Sequence, residues 1–204
     1  MWMTEGADLK SSWCTTWYSN GGPCEGLTWA NKVATGILSA NLSGYIYWQG
    51  LEVNQAQASS YLVYAAYNFH RELLVAMMSA NLLFPPRAVL DGATTVVPSG
   101  RLWALTMWSR FIRPGAVRVG TSGSISSVAI GAFKNTDGSV VVVFTNSGGS
   151  AQSSKISFNG FSPSAASAWL TDNSHSVAST AATLSGGAVT VSLPARSVVT
   201  VRLT

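Results

Sequence analysis

The hydrophobic pattern of the chain changes near Pro114–Gly120, and the change separates two parts of different fold class. Before it, apolar residues recur at helical spacing between short aromatic or β-branched runs. After it, short β-type runs alternate with turn sequences rich in Gly, Asn and Asp. Strands that alternate with helices are typical of parallel sheets, whereas closely spaced short strands are typical of antiparallel sandwiches. The sequence therefore predicts α/β structure over residues 1–115 and all-β structure over residues 116–204.

The first part predicts a strand, a helix and a second strand. Met1–Glu5 indicates a short strand and Gly44–Gly50 a buried one. Between them Thr28 is predicted to cap a helix whose apolar face contains Leu27, Trp29, Ala30, Val33, Ile37 and Leu38. Such units belong to parallel sheets, and two strands are too few to close a sheet or a barrel.

The stretch that follows the second strand is ambiguous. Residues 62–84 are apolar on nearly every helical face, which favours a buried helix that ends at Pro85–Pro86. A further helix is predicted over Ser99–Ile112, and Pro114–Gly115 ends it.

The second part predicts an antiparallel β-sandwich. The Ser/Thr/Ala-rich stretch Ser174–Ser185 is predicted to be an exposed loop. The predicted strands are Arg118–Val119, Ser127–Phe133, Ser139–Phe144, Lys155–Phe158, Ala166–Leu170, Val189–Leu193 and Ser197–Leu203.

The composition limits the class of function. Hydrophobic residues make up 47% of the chain and charged residues 10%, which indicates a folded protein. The net charge of +4 comes from few acids and not from a basic block, so nucleic-acid binding is not predicted. The longest apolar stretch, Glu72–Phe84, is too short to span a membrane. The 8 Trp favour contact with carbohydrate, because indole rings provide flat apolar platforms.

The two cysteines, Cys14 and Cys24, lie in one loop rich in Trp, Asn, Gly and Pro. The spacing leaves a disulfide and two free thiols as alternatives, and we favour the disulfide. Closing a short loop contributes about 2–3 kcal/mol in an oxidising compartment. No His or further Cys lies at ligand spacing, so no metal site is predicted.

Glu5 ends the first predicted strand. In βα barrels the catalytic groups lie at the carboxyl ends of strands, which makes Glu5 a candidate catalytic carboxylate. Its position alone equally allows a loop carboxylate that is satisfied by its neighbours, because many strand ends carry an acid.

Three segments together resemble glycoside hydrolase family 30: Trp2–Glu5, Gly44–Gly50 and Leu102–Val119. The third is the most specific because it is long and ungapped. The resemblance implies the C-terminal part of a (β/α)8 TIM barrel over residues 1–115, with strands seven and eight, followed by an antiparallel β-sandwich over residues 116–204.

The resemblance also implies site residues. Glu5 matches the nucleophile at the end of strand seven, and Trp48 matches the floor or wall of the sugar site at strand eight. The aromatic residues of the cysteine loop either stack on sugars or pack within the loop, and both alternatives remain open. Arg110 and Arg113 match the seam between barrel and sandwich. The predicted substrate contacts are Trp48, Trp13, Trp17, Tyr18 and Glu52, whereas the predicted core tryptophans are Trp29, Trp103, Trp108 and Trp169.

The implied chemistry is retaining glycoside hydrolysis, which needs two carboxyl groups about 5–5.5 Å apart. In the family the acid/base ends strand four, upstream of the present residues, so the chain alone is expected to be inactive. No metal or organic cofactor is expected, because the reaction uses carboxylates and water. The expected substrate is a plant cell-wall polysaccharide, with xylan the first choice and β-1,6-galactan or β-glucan the alternatives.

The full-length protein is expected to be a secreted monomer. Met1 is followed directly by Trp-Met-Thr-Glu, without the basic start and apolar run of a signal peptide, and we expect the signal upstream. Residues 64–90 exceed the short segment usual in the family, and our hypothesis is that much of this stretch is a gene-model artefact such as a translated intron.

Two other functions compete with the enzyme. The sandwich could be a non-catalytic module that binds polysaccharide, although Trp169 is the one tryptophan of residues 116–204. A structural β-domain without a ligand is the third alternative.

Overall fold

The computed structural model describes residues 1–7, 13–47, 63–66 and 95–204. Before the sandwich, these described residues form two helices, one π-helical turn and four short strands. They are β1 Trp2–Gly6, α1 Gly26–Ala34, the π-helical turn Thr35–Ser39, β2 Gly44–Tyr47, β3 Val63–Ala66, β4 Thr95–Pro98 and α2 Gly100–Ser109.

Strands β1 and β2 pair in parallel, and α1 connects them along the chain. The predicted strand–helix–strand order is therefore confirmed. The predicted cap is wrong, because Thr28 lies inside α1 and Glu25 occupies the N-cap position. The preceding loop satisfies the first helical amides instead, since Thr16 O accepts from Gly26 N and Trp17 O accepts from Leu27 N.

Helix α2 begins where the sequence predicts, with Ser99 as the N-cap whose side chain accepts a hydrogen bond from Leu102 N. Most of its residues are buried, although Trp103 and Leu105 are only partly so.

Strands β3 and β4 form an antiparallel pair in which Ala66 lies opposite Thr95. The helix predicted over residues 62–84 is thus wrong for Val63–Ala66, which is a strand. An apolar run without clear periodicity fits either element, and here strand pairing decides the outcome. The rest of that predicted helix and residues 67–94 lie outside the described residues.

The remainder of the chain forms an antiparallel sandwich, as predicted. Its strands are β5 Val117–Val119, β6 Val128–Lys134, β7 Val140–Asn146, β8 Gln152–Ile156, β9 Ala166–Thr171, β10 Ala178–Thr180, β11 Ala182–Ser185, β12 Ala188–Leu193 and β13 Ser197–Leu203. The larger sheet has six strands in the order β10-β9-β13-β7-β6-β5, and the smaller has three in the order β11-β12-β8. The predicted loop Ser174–Ser185 is wrong in part, because it contains β10 and β11, which pair with β9 and β12.

Two apolar cores lie on opposite faces of the six-stranded sheet. One packs α1 and α2 against it, with Trp29 and Met107 facing Val143; the other fills the sandwich around Phe144 and Leu193. Successive side chains of a strand point to opposite faces of the sheet, so adjacent residues of β7 belong to different cores. The predicted core tryptophans lie in or against the first of these cores: Trp29, Trp103, Trp108 and Trp169.

The seam between α2 and the sandwich is held by buried polar contacts. Thr200 Oγ1 donates to Met107 O at 2.7 Å, and Asn135 Nδ2 donates to Phe111 O at 2.9 Å. Arg113 N donates to Asn135 Oδ1 at 3.0 Å, which places this arginine at the junction. Among the described helices, none is long and apolar enough to cross a membrane.

Candidate active site

Strand β1 contains a bulge at its carboxyl end. Met3 pairs with Tyr45 and Gly6 with Tyr47, so Thr4 and Glu5 together lie opposite Ile46. A bulge of this kind places one extra residue in a strand and redirects the side chains beyond it.

The bulge determines which face of the sheet Glu5 belongs to. Tyr45 and Tyr47 pack against the helix core, so Ile46 between them belongs to the opposite face. Without the extra residue, Glu5 would point to the same face of the sheet as Met3, toward the helices. With it, Glu5 shares the face of Ile46, and both residues are exposed. The candidate nucleophile therefore lies on the sheet face turned away from α1 and α2.

The ring of Tyr45 packs under the bulge on the helix side. A Cβ on Gly6 would lie 2.9 Å from the Tyr45 hydroxyl, and a Cβ on Gly36 would lie 3.3 Å from the same ring. A Cβ on Gly6 would therefore displace the ring, and one on Gly36 would require the ring to shift by a few tenths of an ångström. Burial raises the pKa of Tyr45 above its usual value, so the phenol stays neutral beside the strand end.

A disulfide closes the loop after β1. Cys14 and Cys24 are bonded, with their Cα atoms 5.8 Å apart, which confirms the predicted pair. Both helices begin beneath this loop and touch one another at glycines. A Cβ on Gly26 would lie 2.5 Å from Gly100 O, and one on Gly100 would lie 2.3 Å from Thr16 O. These backbones approach too closely for any other residue type.

Glu25 is 3% exposed and forms hydrogen bonds inside the disulfide loop. Its carboxylate accepts hydrogen bonds from the Ser19 amide and hydroxyl and from the amides of Asn20 and Gly21. Burial raises the pKa of this carboxyl, but the four donors outweigh it and lower the pKa from 4.5 to about 2. Glu25 is therefore ionised and bound to its own loop.

The aromatic residues of the loop differ in environment. Trp17 is 5% exposed, and its indole Nε1 donates to Arg196 O at 2.6 Å in the sandwich. Of the two alternatives for this residue, its burial favours packing, because a buried ring has no face for a sugar. Tyr18 is partly exposed, but Arg196 lies 4.5 Å over its ring. Trp13 is also partly exposed. Stacking on sugar remains a prediction for Tyr18 and Trp13.

Two predicted substrate contacts, Trp48 and Glu52, lie outside the described residues. Strand β2 ends at Tyr47, which pairs with Gly6, the residue after Glu5.

Three side chains around this region are not predicted from the sequence: Glu25, Arg101 and Arg196. Arg101 is completely buried at the start of α2, and Arg196 adopts a left-handed backbone with φ of 54°. A lone arginine at the start of an apolar helix was the available signal for Arg101. Nothing local in the sequence marks Arg196, whose partners Trp17 and Tyr18 are distant along the chain.

A cavity of about 710 Å³ lies at the other end of β2. Gly44, at the start of that strand, lines it together with Trp108 and Arg113. Gly44 pairs with Trp2 at the start of β1, so the cavity lies at the opposite end of the sheet from Glu5. In the described ranges no three His, Cys, Asp or Glu side chains lie together where they could hold a metal ion.

A family model and several solved structures resemble this chain. Residues 115–201 match the family model described as the glycosyl hydrolase family 30 beta sandwich domain. The catalytic domain of xylanase C of that family from Talaromyces cellulolyticus aligns with 100% of this chain at 42% identity and a TM-score of 0.80.

Two bacterial enzymes share the fold over the whole chain. The family 30 endoxylanase from Clostridium papyrosolvens C71 is 23% identical with a TM-score of 0.69, and covers 100% of the chain. A subfamily 8 xylanase of the family from Clostridium acetobutylicum is 19% identical with a TM-score of 0.67, also over 100% of the chain. The chain spans 40% of the Talaromyces protein and 41% and 42% of the two clostridial proteins.

Proposed function

The chain belongs to glycoside hydrolase family 30, and we propose that it is the C-terminal part of a retaining endo-β-glycosidase in which Glu5 is the nucleophile. The observation that carries the proposal is the bulge in β1. It brings Glu5 to the sheet face opposite the helices, at the carboxyl end where barrel enzymes hold their catalytic groups.

The open face of β1 and β2 supports the barrel part of the proposal. Trp2 is 64% exposed and Ile46 is 40% exposed, although both lie in strands. In a (β/α)8 barrel, side chains on this face pack in layers with those of the other strands. We propose that further barrel strands cover this face and enclose Glu5.

The proposed reaction has two steps. The Glu5 carboxylate attacks the anomeric carbon, the bond to the leaving sugar breaks, and the leaving oxygen takes a proton from a second carboxyl group. The same group then accepts a proton from water, which attacks the anomeric carbon and releases Glu5.

None of the other described acids is suited to be the second group. Glu25 accepts hydrogen bonds from four donors of its own loop, while Asp137 and Asp172 lie in turns of the sandwich. We therefore place the acid/base, as the resemblance implies, on a barrel strand outside this chain.

Xylan is the proposed substrate, with β-1,6-galactan or β-glucan as the alternative. Support comes from the Talaromyces protein, which is named a xylanase and is 42% identical. We further propose that the full-length protein is a secreted monomer. The Cys14–Cys24 disulfide supports secretion, because such bonds persist in oxidising compartments.

The polysaccharide-binding module is less well supported. Trp169, the tryptophan of the sandwich, packs against Phe111 with ring centroids 4.5 Å apart. It is therefore part of the seam between α2 and the sandwich and does not provide an open platform for sugar.

A reconstituted enzyme tests the proposal. The chain replaces the corresponding C-terminal part of the Talaromyces catalytic domain, and release of reducing ends from soluble xylan is measured. Glu5→Gln is expected to lower kcat at least about 10³-fold, because a carboxamide cannot form the glycosyl ester. Asp172→Asn, on the sandwich surface, is the matched control and should keep full activity. Hydrolysis that survives Glu5→Gln would rule Glu5 out as the nucleophile.

A further inference from the structure

Arg101 is a buried cation in an unfavourable position. Its side chain is 0% exposed, and it lies in the first turn of α2, where the helix dipole disfavours positive charge. Burial of a guanidinium costs free energy unless polar partners compensate. The residue is not needed to start the helix, because Ser99 caps it.

Among the described residues, the guanidinium binds two segments at once. Its Nε donates to Cys24 O in the disulfide loop at 3.1 Å, and its Nη1 donates to the Tyr47 hydroxyl at 3.1 Å. Trp29 of α1 lies beneath it, with the guanidinium carbon 5.7 Å from the ring centroid. Arg101 thereby links α1, α2, the disulfide loop and the end of β2.

The aromatic side chains around Arg101 restrict its geometry further. Trp29 and Tyr47 meet edge to face with centroids 4.7 Å apart, and Trp29 Nε1 donates to Pro23 O at 2.9 Å. The two rings thus contact the same loop and strand that the guanidinium joins.

These contacts lie next to the proposed nucleophile. Tyr47 is the last residue of β2 and pairs with Gly6, which directly follows Glu5. Cys24 closes the loop that continues from β1. A shift of either segment would change the surroundings of Glu5 without altering its side chain.

We propose that Arg101 is a positioning residue of the proposed glycosidase, which holds the disulfide loop against the carboxyl end of β2 through Cys24 O and the Tyr47 hydroxyl. The inference rests on the function proposed for Glu5. Only a planar, forked donor reaches both acceptors together, whereas a lysine ammonium is a single point charge. The charge alone is therefore insufficient for this role.

The first test uses the 204-residue chain and amide hydrogen exchange. Tyr47→Phe removes only the hydroxyl. It is expected to speed exchange at least about 5-fold in residues 13–24 and 44–47 and to leave β7 and β13 unchanged, because local opening does not require the sandwich to open. Arg101→Lys should have the same local effect, and Arg202→Lys, on the sandwich surface, should have none. Equal acceleration everywhere, or no local change, would overturn the proposal.

The second test uses the reconstituted enzyme and separates kcat from KM. Tyr47→Phe and Arg101→Lys are each expected to lower kcat at least about 10-fold with KM changed less than about 3-fold, and the double variant should lose no more than Arg101→Lys alone. Unchanged kcat in both single variants, while Glu5→Gln abolishes turnover, would refute the positioning role and leave the proposed function intact. Turnover that survives Glu5→Gln would instead refute the proposed function.

Discussion

The sandwich and the β1–β2 sheet bury their side chains to very different extents. Strand β7 of the sandwich is buried along its whole length, because sheet or helix covers both of its faces. Strand β1 is exposed at each residue except Gly6, although α1 covers one face of the sheet. In the described residues β1 and β2 pair only with each other. Among the described residues, the sandwich therefore buries its central strand on both faces, whereas the sheet that carries Glu5 leaves one face exposed.

This difference in packing explains why the candidate nucleophile is exposed. A two-stranded sheet is marginally stable alone and needs packing on at least one face. Here the helix core supplies that packing through Tyr45 and Tyr47, and the opposite face of β1 and β2 stays exposed at Trp2 and Ile46. The bulge in β1 places Glu5 on this exposed face.

We expect the largest difference in stability between two variants, each of which loses an aromatic side chain from one of the two regions. Phe144→Ala removes a ring that is 2% exposed in the sandwich core and should lower the free energy of unfolding by about 3–5 kcal/mol. Trp2→Ala removes a larger ring that is 64% exposed and should change it by less than about 0.5 kcal/mol. Urea unfolding followed by circular dichroism gives both values. Similar losses in the two variants would mean that the β1–β2 sheet is as well packed as the sandwich.

A smaller effect is expected where the two helices meet. Gly100→Ala places a Cβ 2.3 Å from Thr16 O, a backbone atom, and should cost about 1–3 kcal/mol. Gly120→Ala is the control, because no atom lies within 4 Å of its Cβ. Thermal unfolding of both variants measures the difference. An unchanged midpoint for Gly100→Ala would show that the loop above the helices is free to move away.

A third effect, which depends on pH, concerns the disulfide loop. The folded-state pKa of Glu25, about 2, is below its usual value of 4.5, so its ionised form stabilises the fold. This contribution is complete above about pH 4.5 and is lost as the pH falls toward 2. Glu25→Gln should therefore lower stability at pH 6 and reduce the acid dependence, as measured by urea unfolding from pH 2 to 6. A wild-type profile that does not change over this range would contradict the assignment.

Much of the sandwich could be predicted from the sequence, because its longer strands combine β-branched residues with clear turns. The run Ser197–Leu203 coincides with β13. Strands β10 and β11 are not evident in the sequence because they are short and carry little apolar patterning, and their pairing partners stabilise them. Val63–Ala66 was assigned to a helix because an apolar run carries no information about its partner, here β4.

The candidate site was predictable only in part. Glu5 could be identified from its strand end and from the resemblance, but the bulge that directs it depends on the register with β2. The roles of Glu25 and Arg101 likewise depend on contacts that folding creates. Arg101 and Cys24 are 77 residues apart along the chain, and no local pattern connects them.

The identity of the nucleophile is tested most directly by trapping the covalent intermediate. The reconstituted enzyme is incubated with a 2-deoxy-2-fluoro xyloside that carries a good leaving group, digested with a protease and analysed by mass spectrometry. The account predicts one sugar adduct, on the peptide that contains Glu5, and no adduct in the Glu5→Gln variant. An adduct on a different carboxylate, or turnover that leaves the Glu5 peptide unmodified, would contradict it.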